Sequence, residues 1–425
     1  MSKLEQLINE LCPNGVEYKT IQSFSQLLKG MSGVSNKWSN DGNCQFIEYK
    51  NAYDNLKIDV TRLPFATVKK IDNQIELKQG DILFTSASET PDECAISSVI
   101  EDEIAEGIFI DDHLFGIRVN DKTRYNSTFL NYYFRSDSFR RIVNKTVRGV
   151  TRYYISIPNF MKLQIPIPPL PVQEEIVSIL DKFTELTAEL TAELTAEFTA
   201  RKQQYEYYRD LLIAFRDDMP LVELGKLATD MYRGAGIKRD EVSGEGTPCI
   251  RYGEIYTTYN VWFDECVSKT MMGSKTFEHG DILFAITGES VEEIAKSCAY
   301  VGNEKCFAGG DIVVMKHAQN PKYMAYALST TMSQKQKSKG RIKSKVVHSN
   351  IPAIKKIKIP IPFPKDTAKS LAEQQRIVDI LDRFDRLRND ISERLPAEIE
   401  ARQKQYEYYR DKLLTFKKKE AVENE

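Results

Sequence analysis

The chain contains itself twice. Residues 173–183, QEEIVSILDKF, recur as residues 374–384, QQRIVDILDRF, and residues 201–215, RKQQYEYYRDLLIAF, recur as residues 402–416, RQKQYEYYRDKLLTF, both at an offset of 201 without a gap. Upstream, Gln164-Ile165-Pro166-Ile167-Pro168 corresponds to Lys358-Ile359-Pro360-Ile361-Pro362, Gly80-Asp81-Ile82-Leu83-Phe84 to Gly280-Asp281-Ile282-Leu283-Phe284, and Ile47-Glu48-Tyr49 to Ile250-Arg251-Tyr252. The offsets drift there, so the intervening loops differ. A tandem duplication of this kind limits the chain to two variants of one fold, each a divergent globular part followed by a nearly repeated helix.

The first helix is set by its apolar stripe. Ile176, Leu180, Phe183, Thr187, Leu190, Leu194, Arg201, Tyr205, Tyr208, Leu212 and Phe215 recur mostly at steps of three and four, and neither Pro nor Gly interrupts residues 172–217. Some 43 residues at 1.5 Å each make a rod of roughly 65 Å, too long to be buried in one small domain. The second copy repeats the stripe with Ile377, Leu381, Phe384, Ile391, Leu395, Tyr406, Tyr409, Leu413 and Phe416, and Pro396 is expected to kink or divide it. Two matching stripes in one chain satisfy each other most economically as an antiparallel coiled coil, with the globular parts at opposite ends in pseudo-two-fold symmetry. Pairing with a second chain through parallel coils is the alternative. The expected boundaries are a globular domain over 1–171, a helix over 172–217, a second domain over 218–365, a second helix over 366–420 and a tail over 421–425.

Each globular part reads as mixed α and β. Strand-like runs at 81–85, 108–110 and 311–315 alternate with helical stretches at 127–143 and 321–335. The net charge of −2 is nearly neutral, but the charge is segregated. No acid lies between Asp311 and Asp366, where Lys335, Lys337, Lys339, Arg341, Lys343 and Lys345 cluster, and none between Asp137 and Glu174, where Arg140, Arg141, Lys145, Arg148 and Arg152 lie. Two basic surfaces separated by acidic helices suit a protein that touches a polyanion at two places. The seven cysteines are irregularly spaced without a C-x-x-C pair, and there are only four histidines, so structural thiols are expected rather than disulfides or a metal site. No apolar run approaches the ~20 residues of a membrane span, and the charged start does not resemble a secretory signal, which makes the cytoplasm the expected location.

The two variable halves, the Ile-Pro-Ile-Pro junctions, the duplicated helices and above all the run Thr187-Ala188-Glu189-Leu190-Thr191-Ala192-Glu193-Leu194-Thr195-Ala196-Glu197-Phe198 resemble the specificity (S) subunit of a type I restriction-modification system, of the IC-like group. The resemblance covers essentially the whole chain. It implies two target recognition domains, each reading half of a bipartite, asymmetric sequence in double-stranded DNA, and helices that act as a spacer. It implies as partners methyltransferase (M) subunits, two of them, that methylate adenine, and restriction (R) subunits that complete the enzyme. The S subunit itself carries no catalytic centre, cofactor or metal. The second helix departs from the family picture in lacking Thr-Ala-Glu-Leu units.

Enzymatic alternatives fare poorly against the residues. Asn320-Pro321-Lys322-Tyr323 only partly matches the Asn-Pro-Pro-Tyr loop of adenine methyltransferases and has no glycine-rich cofactor turn upstream. Asp59 with Glu76-Leu77-Lys78 has a nuclease-like spacing that chance supplies in a charged chain, and no phosphate loop is present for an ATP motor. A purely structural coiled-coil adaptor would explain the helices and leave the basic domains without a role. On the chemistry of base and phosphate contacts, the DNA-binding candidates are Lys37, Lys50, Asn51, Ser86, Ser88, Arg148, Thr151 and Arg152 in the first half, and Arg233, Lys238, Arg251, Thr287, Lys339, Arg341, Lys343, Ser344 and Lys345 in the second. Ile176, Leu180, Phe183, Leu190, Leu194, Tyr205, Tyr208, Leu212, Ile377, Leu381, Phe384, Tyr406, Tyr409 and Leu413 are the candidates for the spacer and subunit interface.

Overall fold

The computed structural model describes residues 2–38, 41–214, 218–291, 293–337, 341–343 and 346–419, with the backbone alone at 73, 341–343, 346 and 388–394. The chain divides into two compact units, Met1–Ala192 with Glu398–Glu425, and Glu193–Ala397, so the division falls inside both long helices.

In the first unit a four-stranded antiparallel sheet runs in the order Ser25–Lys29, Leu114–Val119, Ile82–Thr85, Ser97–Val99. All four residues of Ile82–Thr85 are buried, which explains why the sequence there is a continuous apolar run rather than an alternation. Its Phe84 meets Phe115, Phe134 and Phe160 with ring centroids 5.1, 5.0 and 4.9 Å away. A second sheet, Val34–Lys37, Phe65–Val68, Cys44–Ile47, Ile108–Ile110, covers a separate small core. The second unit repeats the main sheet with Ala228–Arg233, Ile312–His317, Ile282–Ala285 and Ser297–Tyr300, and adds Trp262–Phe263 at the edge.

The repeated Gly-Asp pair enters the central strand of each sheet. Gly80 and Gly280 have φ of +90° and +91°, a conformation that strains any side chain. The next residue, Asp81 or Asp281, is buried and accepts a backbone N–H at 2.8 Å (Lys78) or 2.9 Å (Glu278). A cation from the neighbouring strand closes each turn. Arg118 binds Asp81 bidentately at 2.8 and 2.7 Å, and Lys316 reaches Asp281 at 3.0 Å.

The expected helices at 127–143 and 321–335 are each two helices. Ser127–Phe134 ends before Ser136, whose hydroxyl accepts from the Phe139 N–H and starts Asp137–Val143. Pro321–Ser329 likewise gives way at Thr330, whose hydroxyl accepts from Ser333 N–H, to Thr331–Lys337. A hydroxyl cap in mid-pattern ends one helix and begins another although the apolar spacing continues.

The long helices are Leu170–Leu212 and Thr367–Leu413. Of the two outcomes expected of Pro396, a kink or a division, division does not occur, since the helix is continuous through it. A proline removes one hydrogen bond from a ladder of 47 residues, and that is insufficient to end a helix already propagating on both sides. Each helix is anchored the same way at its start. Gln173 and Gln374, both fully buried, accept from the backbone N–H of Asn126 and Asn320, the N-caps of Ser127–Phe134 and Pro321–Ser329. Further along, Asp181 and Asp382 each accept from a buried tyrosine, Tyr132 or Tyr326, at 2.7 Å.

Each core is completed by the far end of the other helix. Val172, Ile176 and Leu180 of the first helix pack in the first core together with Leu414, while Leu413 and Phe416 lie against it. In the second core Ile377, Val378 and Leu381 of the second helix meet Ile213, with Leu212 against them. The Arg-Asp pairs of the repeated motif lock this exchange. Asp411 accepts the N–H of Asp137 at 3.0 Å, and Asp210 accepts that of Thr331 at 3.1 Å, each at the first residue of a short helix.

Candidate nucleic-acid interface

In the first half, three short strands form a sheet in the order Val147–Gly149, Tyr153–Ile155, Ala87–Ser88. The hairpin returns at Gly149, where φ is +143° and an added Cβ would lie 2.0 Å from the Arg152 carbonyl oxygen, so glycine alone fits. The turn presents Arg148, Thr151 and Arg152 to solvent, with Val150 88% and Tyr154 54% exposed. Tyr153 pairs with Ser88 across the sheet. Ser88 Oγ and Tyr53 each donate to Glu93 at 2.8 Å, and these bonds, Tyr53 first, hold the Glu93 carboxyl below its ordinary range while pushing Tyr53 up to about 12. Ser86 donates to the His113 carbonyl at 2.6 Å.

Tyr49 donates to the Ala87 carbonyl at 2.9 Å and so ties the short helix Tyr49–Asp54 to this sheet. Lys50 is exposed on that helix. Asn51 is engaged differently, because its amide both donates to Asp59 O at 2.7 Å and accepts from Asp59 N at 3.0 Å, closing a loop. Lys37 belongs to the other sheet. Its ammonium lies 2.9 Å from Asp111 Oδ1 and also binds Asp112, with the side chain only 14% exposed. Burial raises the Asp111 carboxyl. At Asp112 burial is outweighed by hydrogen bonds to Asp111 and Lys37, which hold it at about 2. Asp111, Asp112 and His113 bring ligand atoms within 4.8 Å of one another, the one such grouping among the described residues, and the Lys37 ammonium already supplies its positive charge.

The second half builds the same three-stranded sheet from Thr287–Gly288, Val346–His348 and Arg341–Lys343, in that order. Arg341 and Lys343 are on the outer strand, paired with His348 and Val346. Their side chains, and all of Lys339, Ser344 and Lys345, lie outside the described residues. Thr287 Oγ1 is 3.3 Å from His348 Nδ1. Beside this sheet is an open cavity of ≈ 420 Å³ lined by Arg251, Tyr252, Glu254, Asp311 and the glycines 236, 253, 309 and 310. Arg251 is the N-cap of Tyr252–Thr257, and its Nε is buried with no hydrogen-bond partner among the described residues. Arg233, exposed, binds Asp311 at 2.5 Å and the Gly310 carbonyl, while Lys238 is exposed on the following loop.

The structure therefore gathers Ser86, Ser88, Arg148, Thr151, Arg152 and Lys50 about the first three-stranded sheet, and places Arg251 in the lining of the cavity, with Arg233 bound to its Gly310 and Asp311. Lys37 joins the first group only indirectly, through Asp111 and His113, whose carbonyl accepts from Ser86. Sequence reasoning missed Val150 and Tyr154, whose exposure depends on a hairpin that no short pattern announces.

On the helices, Ile176, Leu180, Tyr205, Ile377 and Leu381 are buried, and Leu190, Leu194, Leu212, Tyr406 and Leu413 are half-buried. Phe183 and Tyr409 meet at 6.3 Å in the first unit, where Thr184 also bonds Tyr406 at 3.2 Å, and Tyr208 meets Phe384 at 6.1 Å in the second. In the first unit the lower-numbered residue of one helix meets the higher-numbered residue of the other, from Phe183 with Tyr409 to Leu190 with Arg402, so the helices are antiparallel there. The duplicated Tyr207 and Tyr408 are each 64% exposed, a solvent-facing aromatic pair that the stripe does not include.

The family model described as the type I restriction modification DNA specificity domain matches residues 13–200 and again 238–401. A Haemophilus influenzae protein named as a type I restriction enzyme specificity subunit is 34% identical over 311 residues, 70% of this chain and 74% of its own length. The EcoR124I/EcoR124II specificity subunit of Escherichia coli is 33% identical over 288 residues, covering 63% and 67%. A structure from work on the assembly and conformational transition of the type I R-M system superposes with a TM-score of 0.72 at 14% identity, covering 95% of this chain and 98% of the other. The HsdS subunit of Thermoanaerobacter tengcongensis gives 0.53 at 16% identity, covering 95% and 96%.

Proposed function

Because the chain belongs to the type I restriction-modification DNA specificity family, we propose that it is the DNA-reading subunit of such an enzyme. The observation that carries this reading is that the family model matches twice, once on each homologous half. Each half reads one part of a bipartite, asymmetric target, and two methyltransferase subunits, with restriction subunits, dock on the assembly. The chain supplies no catalytic group of its own, and it works in the cytoplasm. Among the described residues no helix is long and apolar enough to cross a membrane. The Thr-Ala-Glu-Leu run supports placement in the IC-like group, and the duplication supports domains over 1–171 and 218–365.

The residues divide by the contact each can make. Arg148, Thr151 and Arg152 on the hairpin, with Lys50, offer cations and a hydroxyl to phosphate or to guanine edges. Arg251 and Arg233 offer guanidinium groups at a cavity whose glycine walls allow a base edge or backbone to approach closely. Arg341, Lys343 and the neighbouring Lys339, Ser344 and Lys345 are assigned to the duplex on the acid-free composition of their stretch, and Lys238 and Thr287 join them by position. Ser86, Ser88 and Asn51 spend their polar atoms on the fold and act by holding the reading surface, as does Lys37 through Asp111.

Methylome sequencing of a strain with and without this chain is the decisive test. One asymmetric bipartite motif carrying methyladenine should disappear with the chain. Persistence of every methylated motif would leave the helices as a mere adaptor. The purified chain alone should transfer no methyl group and hydrolyse no ATP.

A further inference from the structure

The halves differ at the joint between their short helices. In the first, Arg135 donates to the carbonyls of Ser97 at 2.6 Å and Asn55 at 2.7 Å, and Arg140 to those of Ala95 at 3.0 Å and Asp92 at 2.8 Å. Burial lowers both guanidinium groups, Arg135 to about 10. The matching residues in the second half are Ser329 and Gln334. The correspondence is set by the N-caps Asn126 and Asn320, by Tyr132 and Tyr326 on their aspartates, and by Ser97 and Ser297 paired with Phe84 and Phe284.

Where the first half holds two guanidinium groups, the second has a cavity of ≈ 370 Å³ lined by Asn260, Lys296, Ser297, Ser329, Gln334 and Lys337. Lys337 replaces Val143. It is 6% exposed, its Nζ donates to Ser297 Oγ at 3.0 Å, and it has no carboxylate partner among the described residues. Two of its three donor positions are therefore unassigned there, in a place where burial pushes its pKa down to about 7, opposed by Cys298 and reinforced by Lys296. Lys296 donates to the Tyr256 carbonyl at 3.0 Å. The groups facing Lys337 are Ser297 and Cys298 on one strand, Phe284 on the next, Lys296, and across the cavity Tyr259 and the exposed Glu293. An ammonium with no carboxylate bound to it among the described residues, a second ammonium, a hydroxyl and an amide supply donors here, with the exposed Glu293 the one carboxylate in the lining.

We propose that this cavity binds a phosphate-sized oxyanion, held by Lys337, Ser297 and Asn260. The same chemistry serves a free phosphate or a phosphate of bound DNA. The ion occupies space that arginine side chains fill in the first half.

The test is calorimetric titration of sulfate, whose charge is constant in this range, into the full chain assembled with its methyltransferase subunits. One saturable site is expected, bound about tenfold more weakly at pH 8 than at pH 6, because the protonated fraction of a group titrating at about 7 falls by that factor. The first half supplies the variants. Lys337→Val removes the ammonium, and Ser329→Arg with Gln334→Arg fills the cavity, and each should abolish sulfate binding. Thermal melting shows whether the filled variant folds, and Lys337→Val keeps the question open to refutation if it does not. If the phosphate is that of DNA, Lys337→Val should also weaken binding of the target duplex and lower its salt slope by about one. If it is free, duplex binding is unchanged. Sulfate binding that survives Lys337→Val, or the absence of both sulfate binding and any effect on DNA, overturns the proposal.

Discussion

The face of each globular half that docks on the long helices and the face that carries the three-stranded sheet have diverged to different degrees. On the docking face each pair keeps one equivalent hydrogen bond, Gln173 with Gln374 from the N-cap N–H, Asp181 with Asp382 from a tyrosine, Asp210 with Asp411 from the first N–H of a short helix. On the sheet face the strands keep their order and Arg148 opposite Tyr154 matches Arg341 opposite His348, while Gly149 opposite Tyr153 becomes Ile342 opposite Val347. Under the proposed function, equivalent docking suits two copies of one partner, and sheets that differ suit two different half-sites.

That contrast can be broken in several ways. The largest effect should come from removing one spacer unit, Thr191-Ala192-Glu193-Leu194. The deletion shortens the helix by about 6 Å and rotates the downstream residues by about 40°, close to one base-pair step of about 35°. The unspecified gap should shorten by one base pair with both half-sites unchanged in methylome maps, and an altered half-site would show that spacer and sheet are not independent. Next, Leu180→Ala and Leu381→Ala, each fully buried in the docking core, should each cost about 2–5 kcal/mol in urea unfolding. Similar losses are expected, and a loss in only one half would deny that the docking faces are equivalent. Replacing Arg341 and Lys343 with serine should weaken DNA binding and lower its salt slope by about one unit per lost phosphate contact, with the first half-site still read. Unchanged binding would remove this strand from the DNA surface.

The smallest effect concerns acid. Asp112 is held at about 2 against an ordinary value of 3.8. A depressed carboxyl contributes stability above its unfolded pKa, and that contribution is lost as pH falls from about 4 towards 2. Lys37→Met should reduce this acid dependence in the first half, as followed by circular dichroism, and leave the second half, where Gly309 and Gly310 stand at the positions of Asp111 and Asp112, unaffected.

The duplication, both long helices and their apolar stripe were legible because each arises from periodicity within a continuous segment. So was the basic character of residues 312–365. The roles of single polar residues were less so. Lys37 is like any other DNA-binding candidate until Asp111 is found beside it, and Asn51 until Asp59 is, because hydrogen bonds between residues distant in the chain leave no local pattern.

Local spacing alone thus determined that the chain is two copies of one domain, each with a helix too long for its own core, since repeats and helical faces are properties of sequence order. The tertiary structure decided that each core is sealed by the far end of the other helix, through Leu414 and Ile213, and that the space filled by Arg135 and Arg140 stands open beside Lys337. Those outcomes depend on which side chains meet after the chain has folded back on itself, and packing between segments some 200 residues apart is written in volume and hydrogen-bond complementarity rather than in spacing.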